Sequence, residues 1–137
     1  TKTLFSNIIY NQKGNITKLI NKNSENYNKF GEIYTTRIKP NKVKAWKMHL
    51  KMNSNLFVIS GSVKFVLINK DRKNEIVFDE YKITEKKINN IFIPHNTIFG
   101  FSCFGKKESI IINFSDVIHT KDESINYKQT YFRYDWK

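Results

Sequence analysis

The run from Lys42 to Leu67, KVKAWKMHLKMNSNLFVISGSVKFVL, restricts this chain most tightly. It opens with alternation. On an extended strand Trp46, Met48 and Leu50 fall on one side, and Ala45, Lys47, His49 and Lys51 fall on the other. The apolar side needs a cover. The other side carries ammonium groups and an imidazole, which suit the wall of a cavity better than a packed core. A denser apolar run, Asn55–Ser60, comes next. The Ser60-Gly61-Ser62 punctuation leads into a strand with Val63, Phe65 and Leu67 on a common face.

The same reading extends along the chain. Residues 1–12 form a strand or arm, Lys13-Gly14-Asn15 a turn, and Ile16–Ile20 a short strand, before a polar loop over 21–28. Phe30–Ile38 is a strand, and Pro40-Asn41 breaks it. After the central hairpin, residues 69–74 make a charged turn and Glu75–Tyr81 a strand. Residues 82–90 are polar and turn-rich. Ile91–Pro94, Thr97–Phe104 and Ser109–Phe114 are further strands, and Asp116–Lys137 is a charged, aromatic tail. Some nine or ten short strands at regular spacing, without a helical period, indicate an all-β sandwich or barrel.

The length of 137 residues fits one domain spanning 1–137. A chain of this size hides roughly two thirds of its unfolded surface. A single cysteine, Cys103, allows no internal disulfide. No apolar run approaches about 20 residues, and the start lacks a signal-peptide pattern, so a soluble cytoplasmic protein with no membrane partner is expected. The net charge of +12 suits nucleic acid, an anionic small molecule, or mere drift in a chain rich in Lys, Asn and Ile. The lysines are scattered, and neither clustered arginines with a stacking platform nor a recognition helix is evident, so no nucleic-acid partner is expected.

The order of elements resembles the cupin jelly roll, and within it the dTDP-4-dehydrorhamnose 3,5-epimerase-like group of sugar-nucleotide cupins. The residues that carry the likeness are Phe30-Gly31-Glu32-Ile33-Tyr34, Val43 to His49, Gly61, Ile93-Pro94 with Gly100-Phe101, and Tyr134-Asp135-Trp136. The resemblance implies an all-β fold, a cupin-type jelly-roll barrel of two packed antiparallel sheets. It also implies a homodimer, with residues 1–13 as a strand-exchange arm and 116–137 as a tail packing on the barrel.

Placing His49 on the second histidine of the first cupin motif brings Gly61 into register. The other three metal-ligand positions then hold Lys47, Ser54 and Phe99. One histidine does not hold zinc or iron, so the resemblance implies no metal and no cofactor. Metal-free members remove a proton next to a ketone, hold the enolate and return the proton, which needs a base, an oxyanion donor and an acid. The family's base position is Lys47 here, while His49 is intrinsically closer to the working pH. The family's oxyanion lysine falls at Ser54 or Asn55, and its acid tyrosine falls on Ser109–Phe114, which has none. Tyr34, Tyr127, Tyr131 and Tyr134 are the alternatives, and the catalytic set expected is His49, Lys47 and Tyr34.

The likeness also implies substrate contacts. Phe30 and Glu32 match positions that meet the nucleotide across a dimer interface, and Arg37, Lys44 and Arg72 are candidate diphosphate partners. The expected ligand is a nucleoside-diphosphate sugar, a dTDP-linked 4-keto-6-deoxyhexose used in surface polysaccharide synthesis. The alternative is a catalytically silent cupin that binds a sugar or nucleotide. Each residue has a plainer reading too. His49 could be a satisfied interior histidine, Lys47 a solvated group at a barrel mouth, Phe30 part of the core and Glu32 a surface charge. His95 and His119 read as solvent-exposed. Asp116 and Asp122 read as surface carboxylates, either of which could orient a histidine.

Overall fold

The computed structural model describes residues 2–4, 7–87 and 90–137. Twelve strands run through them: β1 (Lys2–Leu4), β2 (Asn7–Ile9), β3 (Ile16–Lys18), β4 (Glu32–Ile38), β5 (Val43–His49), β6 (Ser54–Ser60), β7 (Ser62–Lys70), β8 (Ile76–Thr84), β9 (Asn90–Ile93), β10 (Ile98–Cys103), β11 (Ser109–Ser115) and β12 (Ser124–Asn126). Two single-turn 3-10 segments, Lys121–Glu123 and Gln129–Tyr131, punctuate the tail. The strands form two five-stranded antiparallel sheets, β1-β9-β6-β11-β4 and β12-β5-β10-β7-β8, with β2-β3 as a separate hairpin. This is the jelly-roll barrel that the strand pattern points to.

Local chemistry sets the turns. Asp71 Oδ1 accepts from the amides of Lys73 and Glu75, both at 2.9 Å, and Asn74 takes φ 63°. That closes the β7–β8 hairpin with residues suited to it. Gly61 turns β6 into β7 at φ 89°, where a side chain would collide with Ser109. Ser109 Oγ accepts the Ser62 amide at 2.9 Å and donates to the Ser62 carbonyl at 3.1 Å, which ties the turn to the facing sheet.

The core lies between the sheets. Leu56 and Val58 of β6, Ile91 and Ile93 of β9, and Ile111 of β11 meet Val63, Phe65, Leu67, Ile83 and Phe99 of the other sheet. Each fully buried aliphatic or aromatic side chain of this kind contributes about 1.5–3 kcal/mol. The outer face of the second sheet has its own aromatic layer. Trp46 stands at the centre, with Phe78, Phe132, Tyr134 and Trp136 at ring separations of 6.1, 5.8, 6.0 and 5.1 Å. Gly100 makes room for it, because a side chain there would strike Ala45, Trp46 and Trp136. So the tail covers the stripe around Trp46.

Three details differ from the strand pattern read in the sequence. β8 runs on to Thr84, because Ile83 is a core residue and Lys82 and Thr84 pair with Lys64 and Ser62. The tail contains a strand, β12, which pairs with β5 and so walls the barrel. Alternation in β5 also breaks: Lys47 pairs with Phe99, but Gly100 pairs with Ala45 and Phe101 with Lys44. A bulge of one residue at Trp46 puts Ala45 on the outer, aromatic side and turns Lys44 to the inner face with Lys47 and His49. Within the arm read over residues 1–13, β1 pairs with β9 of the same chain, and residues 1, 5 and 6 lie outside the described residues.

Candidate active site

One end of the space between the sheets is filled by the core, and the other is open. The open end is a cavity of about 370 Å³. Leu56, Phe99, Phe101 and Ile111 form its apolar part. Its polar part comes from Tyr34 and Thr36 of β4, Lys44, Lys47 and His49 of β5, Asn113 of β11, and Asn126 and Tyr127 at the end of β12. A pocket of a few hundred Å³, apolar with a few convergent polar groups, is the usual form of a small-molecule site.

His49 lies where β5 ends, stacked on Phe99 at 6.0 Å. Its Nδ1 is 2.7 Å from Glu123 Oε1, and each of the two side chains is only 5% exposed. The other Glu123 oxygen accepts the Met52 amide at 3.1 Å. Burial lowers the His49 pKa below its ordinary 6.5, helped by Lys47 and His119, and this outweighs the opposing pull of Glu123. Burial acts to raise Glu123, yet the hydrogen bonds and charge of His49, the Met52 amide and His119 together bring it below 4.5. At neutral pH the pair is therefore a neutral imidazole beside a carboxylate. A neutral ring that donates Nδ1–H to a carboxylate carries its lone pair on Nε2, the form a general base needs.

Tyr34 is held differently. Asn113 stands opposite it in the β4–β11 register, and Asn113 Nδ2 donates to the Tyr34 hydroxyl oxygen at 2.7 Å. Ser115 Oγ donates to Asn113 Oδ1 at 2.7 Å and fixes the amide's direction. The phenol oxygen thus accepts the Asn113 amide, and the Ser115 side chain is a second hydrogen-bond partner of the same hydroxyl. Burial raises the Tyr34 pKa above 10.0, with Glu32 and Glu123 adding to it, so the group enters any reaction as an acid. The strand that has no tyrosine instead supplies the amide that aims one from its neighbour.

The sequence-read residues therefore divide. His49, Lys47, Tyr34 and Lys44 line one cavity. Glu32 lies beside it, its carboxylate accepting the His119 amide at 3.2 Å. Phe30 is 60% exposed and packs on Phe114 at 5.5 Å, next to exposed Ile33. Arg37 is exposed and pairs with Glu108 at 3.3 Å, and Arg72 is exposed in the turn between β7 and β8. Asp116 corrects the sequence reading. It is buried, and it binds the Asn53 amide and side chain, both at 2.8 Å, rather than facing solvent. Asp122 is exposed, and it is its neighbour Glu123 that holds the histidine. Glu123, Asn113 and Asn126 were not singled out from sequence. Nothing local marks Glu123, since it is one of several charges in a polar tail.

His119 also reaches Glu123 Oε1, at 3.2 Å. Ligand atoms of His49, His119 and Glu123 all lie within 4.8 Å of one another, the sort of spread that can admit a metal ion. The 2.7 Å between His49 and Glu123, however, is shorter than two ligands held about 2.0–2.1 Å from a zinc at tetrahedral angles. The arrangement is a hydrogen-bonded chain.

Fold and site together define a cupin-type jelly roll with an imidazole–carboxylate pair in its mouth. No protein-family model and no curated protein matches the sequence. Solved structures do. A dTDP sugar isomerase from Desulfovibrio desulfuricans superposes with a TM-score of 0.85 at 24% identity, covering 94% of this chain and 83% of that one. A dTDP-4-dehydrorhamnose 3,5-epimerase from Bacillus anthracis, solved with TDP and PPi bound, gives 0.78 at 12% identity over 91% and 77% of the chains. A double mutant of ChmJ, a 3'-monoepimerase from Streptomyces bikiniensis, in complex with dTDP, gives 0.80 at 4% identity over 93% and 68%. The chain shares the fold of these dTDP-sugar isomerases and epimerases. Among the described residues no helix is long and apolar enough to cross a membrane.

Proposed function

We propose that this protein is a sugar-nucleotide epimerase or ketoisomerase acting on a dTDP-linked 4-keto-6-deoxyhexose. The observation that carries the reading is the buried His49–Glu123 pair in the wall of a cavity that also holds Tyr34 and Lys47. His49 Nε2 removes the proton from the carbon next to the ketone. Lys47 donates to the developing enolate oxygen, in the place the family gives to a different lysine. The Tyr34 O–H returns a proton. Each such group lowers the barrier, with proton transfer alone contributing about 10²–10⁴-fold. Return of a proton to the same carbon on the opposite face gives the 3,5-epimerase outcome. Its return to C4, with the C3 hydroxyl proton passing to the C4 oxygen, gives the 3,4-ketoisomerase outcome.

The nucleotide extends from the mouth, where Lys44 offers a cation to the diphosphate. Phe30 and Glu32, with Arg37 and Arg72, complete the substrate contacts in a homodimer. Exposed Ile33 of β4, which pairs with Phe114, and exposed Phe30, which packs on Phe114 just ahead of that strand, support a second copy seated there. The product serves surface polysaccharide synthesis in the cytoplasm, and the chain acts as one domain. A second reading, a silent cupin that binds a sugar or nucleotide without reaction, draws support from Ser54 and Asn55, the alternatives for the family's lysine position, whose Oγ and Oδ1 are buried without a hydrogen-bond partner.

Proton NMR of dTDP-4-keto-6-deoxyglucose with the protein in D₂O separates the two. Loss of the C3 or C5 proton signal supports the enzyme. Saturable binding with both signals intact supports the silent module.

A further inference from the structure

Glu123 Oε1 serves two imidazoles. His49 Nδ1 stands 2.7 Å away and His119 Nδ1 3.2 Å away, with the two rings edge-to-face at 6.0 Å. Burial grades along this chain. The side chains of His49 and Glu123 are 5% exposed, and that of His119 is 41% exposed. The backbone holds each member in place. The His119 amide donates to Glu32 Oε1, the Met52 amide to Glu123 Oε2, the Leu50 amide to the Glu123 carbonyl at 2.7 Å, and the Asn96 amide to the His49 carbonyl at 2.7 Å. The mechanism above uses His49 and Glu123 and leaves His119 without a role.

We propose that His119 is the proton port of the site, a positioning residue that connects the buried His49–Glu123 pair to water. With a substrate filling the cavity, the 5% exposed His49 side chain needs another route to solvent for its proton, and this hydrogen-bonded chain ends at the surface. The transfers balance. His49 Nε2 takes a proton and its Nδ1 proton passes to Glu123 Oε1. That proton passes to His119 Nδ1, with His119 in its Nε2–H tautomer, and the Nε2 proton leaves to water. The relay leaves His49 in its Nε2–H tautomer and His119 in its Nδ1–H tautomer; the reverse sequence, a proton entering at His119 Nε2 as the His49 Nε2 proton leaves to the substrate carbon or to water in the cavity, restores both. The charged and titratable groups acting on the chain are Glu32 and Tyr34 from β4, Lys47 from β5, and the three members themselves. For the substrate's proton this rests on the proposed function, but the port itself requires no substrate.

The test therefore uses two readouts. The first is exchange of the His49 Nδ1–H with water, measured by nitrogen-edited NMR on the full chain without ligand. His119→Gln keeps a hydrogen-bonding side chain beside Glu123 but cannot relay a proton, and His119→Ala opens a space at the surface. Both are expected to fold as the wild type and to slow the exchange about tenfold or more. Added imidazole is expected to restore it in His119→Ala and not in His119→Gln. Wild-type exchange in both variants, or slowing that imidazole does not rescue, overturns the proposal. The second readout is deuterium uptake by the keto sugar. If the wild type takes up none while N–H exchange slows and is rescued as stated, the port stands and the proposed reaction falls.

Discussion

His49 Nδ1 meets Glu123 Oε1 at 2.7 Å although the two residues are 74 apart in sequence. β12 brings them together. It starts at Ser124, and Ser124 pairs with His49 across the β5–β12 ladder, so the residue just before it arrives beside the imidazole. The same ladder carries Asn126 and Tyr127 into the cavity wall. The tail is thus both the cover of Trp46 and one side of the site.

Glu123→Ala removes the acceptor of His49 Nδ1 and of the Met52 amide together. Leaving buried donors unpaired costs about 1–3 kcal/mol, so the urea midpoint should fall accordingly. The imidazole also loses its fixed tautomer, and deuterium uptake by the keto sugar should slow by about 10²-fold or more. A variant that loses stability and keeps its rate would separate the pair from the chemistry.

The pH dependence of stability has a definite sign. The folded-state pKa of His49 lies below its unfolded 6.5, so the unfolded chain binds a proton that the folded chain refuses. Its contribution is complete above 6.5 and is lost as pH falls towards the folded value. Glu123 acts in the same sense but lower, present above 4.5 and lost as pH falls through its depressed folded value. Thermal scans from about pH 7 to about pH 5 should show a decline in the wild type that is shallower in His49→Asn. A wild-type midpoint that rises relative to His49→Asn on acidification would mean that Glu123 holds the imidazole charged.

Tyr34→Phe deletes the donor, and Asn113→Ala deletes the amide that aims it. Tyr34→Phe should lower kcat by about 10²-fold with little change in KM, as expected for a group used in proton transfer. Asn113→Ala should show a smaller loss of the same kind. Full activity in Tyr34→Phe would shift the acid to Tyr127, the other tyrosine among the cavity-lining residues.

The aromatic layer makes a stability prediction independent of the chemistry. Trp46 is 2% exposed, and its indole N–H donates to the Gln129 carbonyl at 3.1 Å. Trp46→Ala should cost about 3–5 kcal/mol in chemical denaturation.

Much of this was legible in the chain, for identifiable reasons. Alternation along β5 placed Lys47 and His49 on an inner face and Trp46 on an outer one, since side-chain direction in a strand follows a period of two. It misplaced Ala45 and missed Lys44, because a one-residue bulge inverts the period and leaves no compositional mark. Asp116 read as a surface charge because sequence cannot show the Asn53 groups that satisfy it. Glu123 and Asn113 were invisible for a related reason. Their partners are long-range, and neither the carboxylate of the 3-10 turn nor the strand amide looks unusual among its neighbours.

The most direct test of the account is deuterium uptake beside the ketone, run in one batch for wild type and His49→Asn, with folding checked by thermal midpoint. Label is expected at C3 or C5 with the wild type, with a loss of about 10²–10⁴-fold in the variant at a comparable midpoint. Equal uptake by the two proteins would contradict the assignment of His49 as the base.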